Sequence, residues 1–291
     1  MNFARKLSWI SKSSGSVRYL ASNSYLEANL QGRVALITGS SDKNGIGIAT
    51  AESLARRGCS LVLSGSRHPM KVESLTSQLA RQYDVPVTYL PADLAQLENA
   101  KRLFDDVKKI HNDGVDILVN NAGMAYFRSI ESTDRKNWQK SMCINLDAPF
   151  YLSKLVLSDM RRKCWGRIIN IGSPLGLGGV TDAAAYVTVK HGLSGLTKCT
   201  ALETAGSGVT CNAVCPAEVQ TELNVEYRKQ VFGKDQSMTL DDFKRTVQSA
   251  VPSGTFLKAE QVAELVAFLC SPAADQITGS DLLMDGGYNA M

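Results

Sequence analysis

Three side chains in one stretch have the types and spacing for proton chemistry on an oxygen. Ser173 opens a glycine-rich run, Tyr186 follows thirteen residues later (186 minus 173), and Lys190 lies four beyond it. If a helix opens near Ala183, Tyr186 and Lys190 share one face, a turn apart. A phenol beside an ammonium ionises more easily, because the cation stabilises the phenolate. Such a phenol gives or takes a proton near neutral pH. Ser173 can place a hydroxyl over the same substrate oxygen. A core tyrosine and a surface lysine on an ordinary helix would show the same Tyr-to-Lys spacing, so the surrounding elements must decide.

Those elements alternate. The apolar run Arg33–Thr38 reads as a buried parallel strand. It enters the loop Gly39-Ser-Ser-Asp-Lys-Asn-Gly45-Ile-Gly47, and a helix follows over Ile48–Arg57, closed by Gly58. Strand, glycine loop and helix form the setting for a dinucleotide pyrophosphate. Glycines let the backbone approach the phosphates, and the helix start offers free N–H groups. Further strands are expected at 60–64, 85–90, 116–120, 166–171, 209–215 and 281–284, with helices at 70–82, 97–111, 135–162 (broken or bent, carrying Asn145), 183–204 and 259–270. Seven strands with intervening helices predict a single α/β domain, a doubly wound, Rossmann-type parallel sheet. The polar stretch 218–257 follows a strand at its carboxyl end and is expected to form a substrate lid. The second strand ends Ser64-Gly65-Ser66-Arg67, without the acid that holds a ribose 2′-hydroxyl. Arg67 either meets a 2′-phosphate or is solvated, and Lys43 poses the same choice.

Composition excludes several classes. The chain is 44% hydrophobic and 21% charged, and no apolar run approaches the ~18 residues of a membrane span. The net charge of +4 resides in residues 1–26, where Arg5, Lys6, Lys12 and Arg18 meet no acid; the remainder is about neutral (+4 minus 4), which argues against a nucleic-acid binder. That leader is basic and serine-rich, with Leu7, Trp9 and Ile10 spaced for one helical face. It reads as a transit peptide to the mitochondrial matrix, the alternative being a disordered basic tail on a cytoplasmic protein. Arg18-Tyr-Leu-Ala-Ser resembles a matrix-peptidase site. Seven scattered cysteines argue against a disulfide framework, and Cys211 and Cys215 lack the second ligand pair of a zinc site, so no metal is expected.

The ordered motifs together resemble the short-chain dehydrogenase/reductase family over about residues 31–291. They are Thr38-Gly39…Gly45-Ile46-Gly47, Asp93-Leu94, Asn120-Asn-Ala-Gly123, Asn145, Ser173, Tyr186-x-x-x-Lys190, Pro216…Thr221 and Asp285-Gly-Gly287. Within it the chain is most similar to the D-3-hydroxybutyrate dehydrogenases, through Trp165–Ile171, Lys190–Leu193, Ala201–Ala213, Pro252–Gly254 and Phe268–Gly279. The resemblance implies an oxidoreductase that interconverts a secondary alcohol and a ketone with a nicotinamide cofactor. It implies NAD, with NADP open, and a homotetramer. Tyr186 would be the general acid and base, Lys190 its electrostatic partner and a ribose ligand, and Ser173 the donor to the substrate oxygen. Asn145 would hold a water linking Lys190 to solvent. Gly39, Ser41, Gly45, Ile46 and Gly47 would hold the phosphates, Asp93, Leu94 and Asn121 would line the adenine side, and Val219 and Thr221 would hold the carboxamide.

The chain departs from that pattern in places. Five residues separate Gly39 from Gly45, where the family has three, so Asp42 and Lys43 are expected to bulge outward. Ala217 replaces the usual glycine after Pro216, which suits only a negative φ. The lysine, histidine and glutamine with which hydroxybutyrate enzymes grip the substrate carboxylate align with Ala183, Leu175 and Ala125, and Glu218 would repel a carboxylate further. Arg128 or the lid's Arg228 is the candidate substitute. A 3-oxoacyl or other apolar carbonyl reductase is therefore the competing activity, and a non-catalytic nucleotide-binding scaffold the competing class.

Overall fold

The computed structural model describes residues 25–221, 245 and 251–291. Seven parallel strands form one sheet: β1 (Val34–Thr38), β2 (Ser60–Gly65), β3 (Val87–Pro91), β4 (Ile117–Asn120), β5 (Gly166–Ile171), β6 (Val209–Pro216) and β7 (Asp281–Met284). Their spatial order is β3-β2-β1-β4-β5-β6-β7, the doubly wound arrangement expected. The order reverses between β1 and β4, and a crevice opens there beyond the strand ends.

Each strand is a short apolar run because both sheet faces are covered. Leu36, Val62, Leu118 and Ile168 face α3 (Glu98–Ile110) and α5 (Ala148–Arg162). Their neighbours Ile37, Leu61, Leu63 and Val119 face α1 (Ile46–Ala55) and α7 (Ala259–Leu269) on the other side. One-residue alternation thus divides the core in two. The remaining helices are α2 (Glu73–Tyr83), α4 (Arg135–Met142) and α6 (Ala184–Thr204). None among the described residues is long and apolar enough to cross a membrane.

The broken helix over 135–162 has a local cause. A π-turn, Cys143–Asp147, joins α4 to α5, with Ala148 N–H bonded back to Cys143. Pro149 has no N–H to return to the Asn145 carbonyl four residues back. The backbone widens by one residue there, which is how π-bulges arise.

Some expected boundaries shift. α1 starts at Ile46 rather than Ile48, capped by extended Gly45. α2 starts at Glu73 because Pro69–Lys71 form a 3₁₀ turn capped by His68. β3 starts at Val87, after Pro86, which has no N–H for a ladder. The leader expectation falls almost wholly on residues 1–24, outside the described residues, and only exposed Tyr25 and Leu26 are within them. The lid expectation over 218–257, with Arg228, falls mostly on 222–244 and 246–250, outside them.

Candidate active site

Two hollows open at the carboxyl ends of the strands and meet at Gly123. The first is walled by Gly39, Ser41, Gly65, Ser66, Asp93 and Leu94. The second is walled by Ile46, Asn121, Asn145, Tyr186, Lys190, Val219 and Thr221. All these except Gly65 and Ser66 were expected at the site from the sequence. Asn121 differs in detail: it lines the second hollow, not the adenine end. Its carboxamide donates to the carbonyls of Thr38 and Gly39, at 2.9 and 3.0 Å, so it also ties β1 to β4.

The first hollow is made largely of backbone. Gly39 has φ +64, and a Cβ there would lie 2.7 Å from Ala122 Cα. A Cβ on Gly47 would lie 2.7 Å from the Gly39 carbonyl and 2.8 Å from Asn121 Nδ2. Glycine is thus required where loop, helix start and β4 exit touch. α1 has no acidic residue in its first turn, and its leading N–H groups have no intrahelical partner. This cradle fits a pyrophosphate. The extra residues leave it intact: Gly45 N–H closes a turn on the Asp42 carbonyl at 3.0 Å, with Lys43 and Asn44 exposed and Asp42 half-buried. At the end of β2, Arg67 donates to the Ser41 carbonyl at 3.1 Å, and Tyr89 OH holds the carbonyls of Gly65 and Arg67.

The second hollow is made of buried side chains. Lys190 is 7% exposed, and its ammonium donates to the Ile171 carbonyl at the end of β5, at 2.7 Å. It lies 5.5 Å from the centroid of the Tyr186 ring. Burial lowers its pKa to about 8, with the nearby Cys215 thiol pulling weakly the other way. An ammonium has three donors and Ile171 takes one, which leaves two for the hollow. Asn145 is 2% exposed; its Oδ1 accepts from Met124 N–H, and its Nδ2 donates to the carbonyls of Met124 and Ser141. The carboxamide is therefore spent on positioning the 124 segment. The Asn145 carbonyl has no α-helical donor from Pro149, four residues on.

Ser173 sits beside the hollow rather than among its lining residues. It is 7% exposed and caps the 3₁₀ turn Pro174–Gly176, its Oγ accepting from Leu175 N–H at 3.2 Å. Because the oxygen accepts there, the hydroxyl proton is free to be donated outward. Gly176 packs on α6, where a Cβ would lie 2.9 Å from the Lys190 carbonyl. The Asn289 amide braces the same turn through the Pro174 carbonyl. The β6 exit is held by Ala217 N–H to Met284 O and by a bridge of Val219 with Leu257, which places Val219 and Thr221. Ala217 is not among the non-glycine residues at positive φ, so its methyl brings no strain. Cys211 and Cys215 are buried, with burial raising their thiols to about 12 and about 11.

Sequence reasoning named Thr38 only within the glycine motif, without a role, and missed Met124 and Phe127. Thr38 Oγ1 accepts from Asn121 and Ala122 N–H, organising the β4 exit. Phe127 packs on Tyr186 with ring centroids 5.3 Å apart. The available signal was an aromatic pair, Tyr126-Phe127, four residues past an otherwise small-residue turn.

A family model described as enoyl-(acyl carrier protein) reductase, of the short-chain dehydrogenase group, matches residues 39–289. The chain belongs to the short-chain dehydrogenase/reductase family. Similar members include the D-beta-hydroxybutyrate dehydrogenases of Cupriavidus necator, 37% identical across 90% of this chain and 99% of the relative, and of Rhizobium meliloti, 38% identical across 89% and 99%. The 3-oxoacyl-(acyl-carrier-protein) reductase of Aquifex aeolicus is 32% identical across 90% and 99%. Among solved structures of this family, an actinorhodin polyketide ketoreductase variant with NADPH matches with a TM-score of 0.81 at 31% identity, covering 89% of this chain and 98% of the other.

Proposed function

We propose that the chain interconverts a secondary alcohol and a ketone, with the chemistry centred on Tyr186. The observation that carries this reading is the Lys190 ammonium. It is buried, has no acid to neutralise it among the described residues, is turned to the end of β5, and stands beside Tyr186 in a hollow continuous with a dinucleotide cradle. Burying a cation costs free energy unless it is paired, so its retention here fits an electrostatic task. Tyr186 gives its proton to the ketone oxygen on reduction and takes it back on oxidation, with Lys190 stabilising the phenolate. Ser173 donates to the same oxygen as charge develops there. The Asn145 carbonyl holds the water through which Lys190 exchanges protons with solvent.

A bound nicotinamide dinucleotide supplies or accepts the hydride. Gly39, Ser41, Gly45, Ile46 and Gly47 would hold its phosphates, Asp93 and Leu94 its adenosine end, and Asn121, Lys190, Val219 and Thr221 its nicotinamide end. The β2 end offers hydroxyls and the Arg67 guanidinium and no carboxylate, so a 2′-phosphate is not repelled. NADPH is therefore accepted beside NADH.

Reduction of a ketone panel with NADH and NADPH in parallel tests the reading. Tyr186→Phe should lose turnover by on the order of 10³-fold while cofactor binding persists. Turnover retained in that variant sinks the assignment. The homotetramer and the matrix address of residues 1–26 belong to the same proposal. Light scattering reads the first, and import of a reporter fused to those residues reads the second; a monomer, or a reporter left in the cytosol, removes them.

A further inference from the structure

Given the oxidoreductase reading above, we propose that Phe127 determines substrate specificity: its ring is an apolar wall beside Tyr186 that selects ketones with an uncharged substituent next to the carbonyl. The backbone of Arg128 bridges that of Ala183, which sets the 127–128 segment beside the start of α6. Phe127 thereby meets Tyr186, three residues past Ala183, ring against ring at 34°. The segment is held from both sides. Tyr126 OH donates to Asp134, the N-cap of α4, at 2.9 Å, and Asn145 holds Met124 through both its backbone groups. The Phe127 ring is half-buried on this fixed support.

The surroundings agree in character. Met124 lines the hollow, Ala183 is fully buried, and Leu175 stands at the serine turn. Beyond it the glycine loop presents Leu177 and Val180, 47% and 48% exposed, as an apolar rim. Among the described residues the hollow's only charged wall group is Lys190, which the reading above commits to Tyr186 and the cofactor. Arg128, the nearby cation, donates to the Phe127 carbonyl at 2.8 Å, with its guanidinium 6.0 Å from the Tyr126 ring. A carboxylate brought against this wall loses water without gaining a cation. An alkyl or ester group gains contact with the ring.

Acetoacetate and its ethyl ester separate the alternatives, since they share the reacting carbonyl and differ in charge. The expected result is a kcat/KM for the ester at least about 30-fold above that for acetoacetate. Phe127→Ala should cut that ratio about tenfold, the size of a lost apolar pocket contact. The cut should come through the KM for the ester, with kcat within about threefold, and Phe127→Leu should recover most of it. A mere support of Tyr186 would instead lower kcat for both ketones and leave the ratio unmoved, which overturns the proposal. So does wild-type preference for acetoacetate, above all one that Arg128→Ala abolishes. Calorimetric binding of the two ketones to Tyr186→Phe with NADH gives a second readout independent of turnover. An ester preference there that depends on Phe127 upholds the wall even if no ketone is reduced, in which case only the oxidoreductase reading falls. Reduction of ketones without that preference removes the wall alone.

Discussion

The two ends of the sheet treat charge differently. At the amino ends of the strands Asp116, 4% exposed, meets Arg33 at 3.1 Å and Lys163 at 2.7 Å and accepts from Val34 N–H. The guanidiniums of Arg33 and Arg167 lie over the Trp165 ring, at 4.0 and 4.5 Å from its centroid, and Arg167 pairs with Asp275. At the carboxyl ends Lys190 is as deeply buried and has a carbonyl in place of an acid. Paired charges tie the starts of β1, β4 and β5 to one another and to the 3₁₀ turn that follows α7. An unpaired cation is costly to fold and is poised to stabilise the phenolate beside it. The same sheet is thus stapled at one end and left electrostatically unfinished at the other.

Exchanging the charges should separate the two effects. Lys190→Met is expected to lower turnover by on the order of 10³-fold while leaving thermal stability equal or higher, because it removes an uncompensated buried charge. Asp116→Ala is expected to do the reverse. Removing the shared acid should cost about 2–4 kcal/mol, toward the lower end for a buried pair because Arg33 remains a third exposed. Its kcat/KM should stay within about twofold, since nothing at that end touches the hollows. Denaturant unfolding and steady-state kinetics on the two variants read both. A loss of stability in the lysine variant, or of activity in the aspartate variant, would erase the contrast.

The same contrast sets what the sequence made legible. Seven strands and the doubly wound order followed from apolar runs alternating with amphipathic ones, because both sheet faces are covered. Tyr186 and Lys190 were legible from their spacing, one helical turn, taken together with the ordered motifs on either side, which decided against an incidental pair. The phosphate cradle was legible because Gly39 and Gly47 have no substitute. Phe127 and the role of Thr38 were not, because both come from contacts between segments distant in sequence: Thr38 with 121–122, Phe127 with 186. The use made of Asn145's carboxamide is of the same kind. Its side chain binds a segment twenty-one residues earlier, whereas Pro149, which frees the carbonyl, was in plain view four residues on.

A pH series sharpens the catalytic end further. Lys190 titrates near 8 because burial disfavours its cation. The kcat/KM for ketone reduction should therefore fall above pH about 8, by roughly tenfold per unit once the ammonium is lost. Stability should move in the opposite direction. Between about 8 and the lysine's ordinary value the unfolded chain binds the proton that the fold has released, so the Lys190 contribution rises with pH across that window and is flat below it. Lys190→Met should lack this rise. An activity limb that stays flat to pH 10 in the wild type would show that the ammonium is not the group required.

The smallest effect is expected where the chain looks most unusual. The two additional residues of the phosphate loop bring in Lys43, a cation that a reading by composition would assign to a phosphate. The turn closed by Gly45 on Asp42 carries Lys43 outward, while the contacts of Gly39 and Gly47 that shape the cradle stay in place. Phosphate binding here is a matter of backbone N–H groups at a helix start, which tolerate an insertion on the solvent side as long as those groups do not move. Lys43→Ala should therefore change the KM for either cofactor by less than about twofold, the usual scale of a surface substitution. Gly47→Ala, by contrast, drives a methyl into the Gly39 carbonyl and should weaken cofactor binding much more. A tenfold rise in cofactor KM with Lys43→Ala would mean that the loop grips phosphate with a side chain after all, and that the first hollow is not the backbone device its glycines describe.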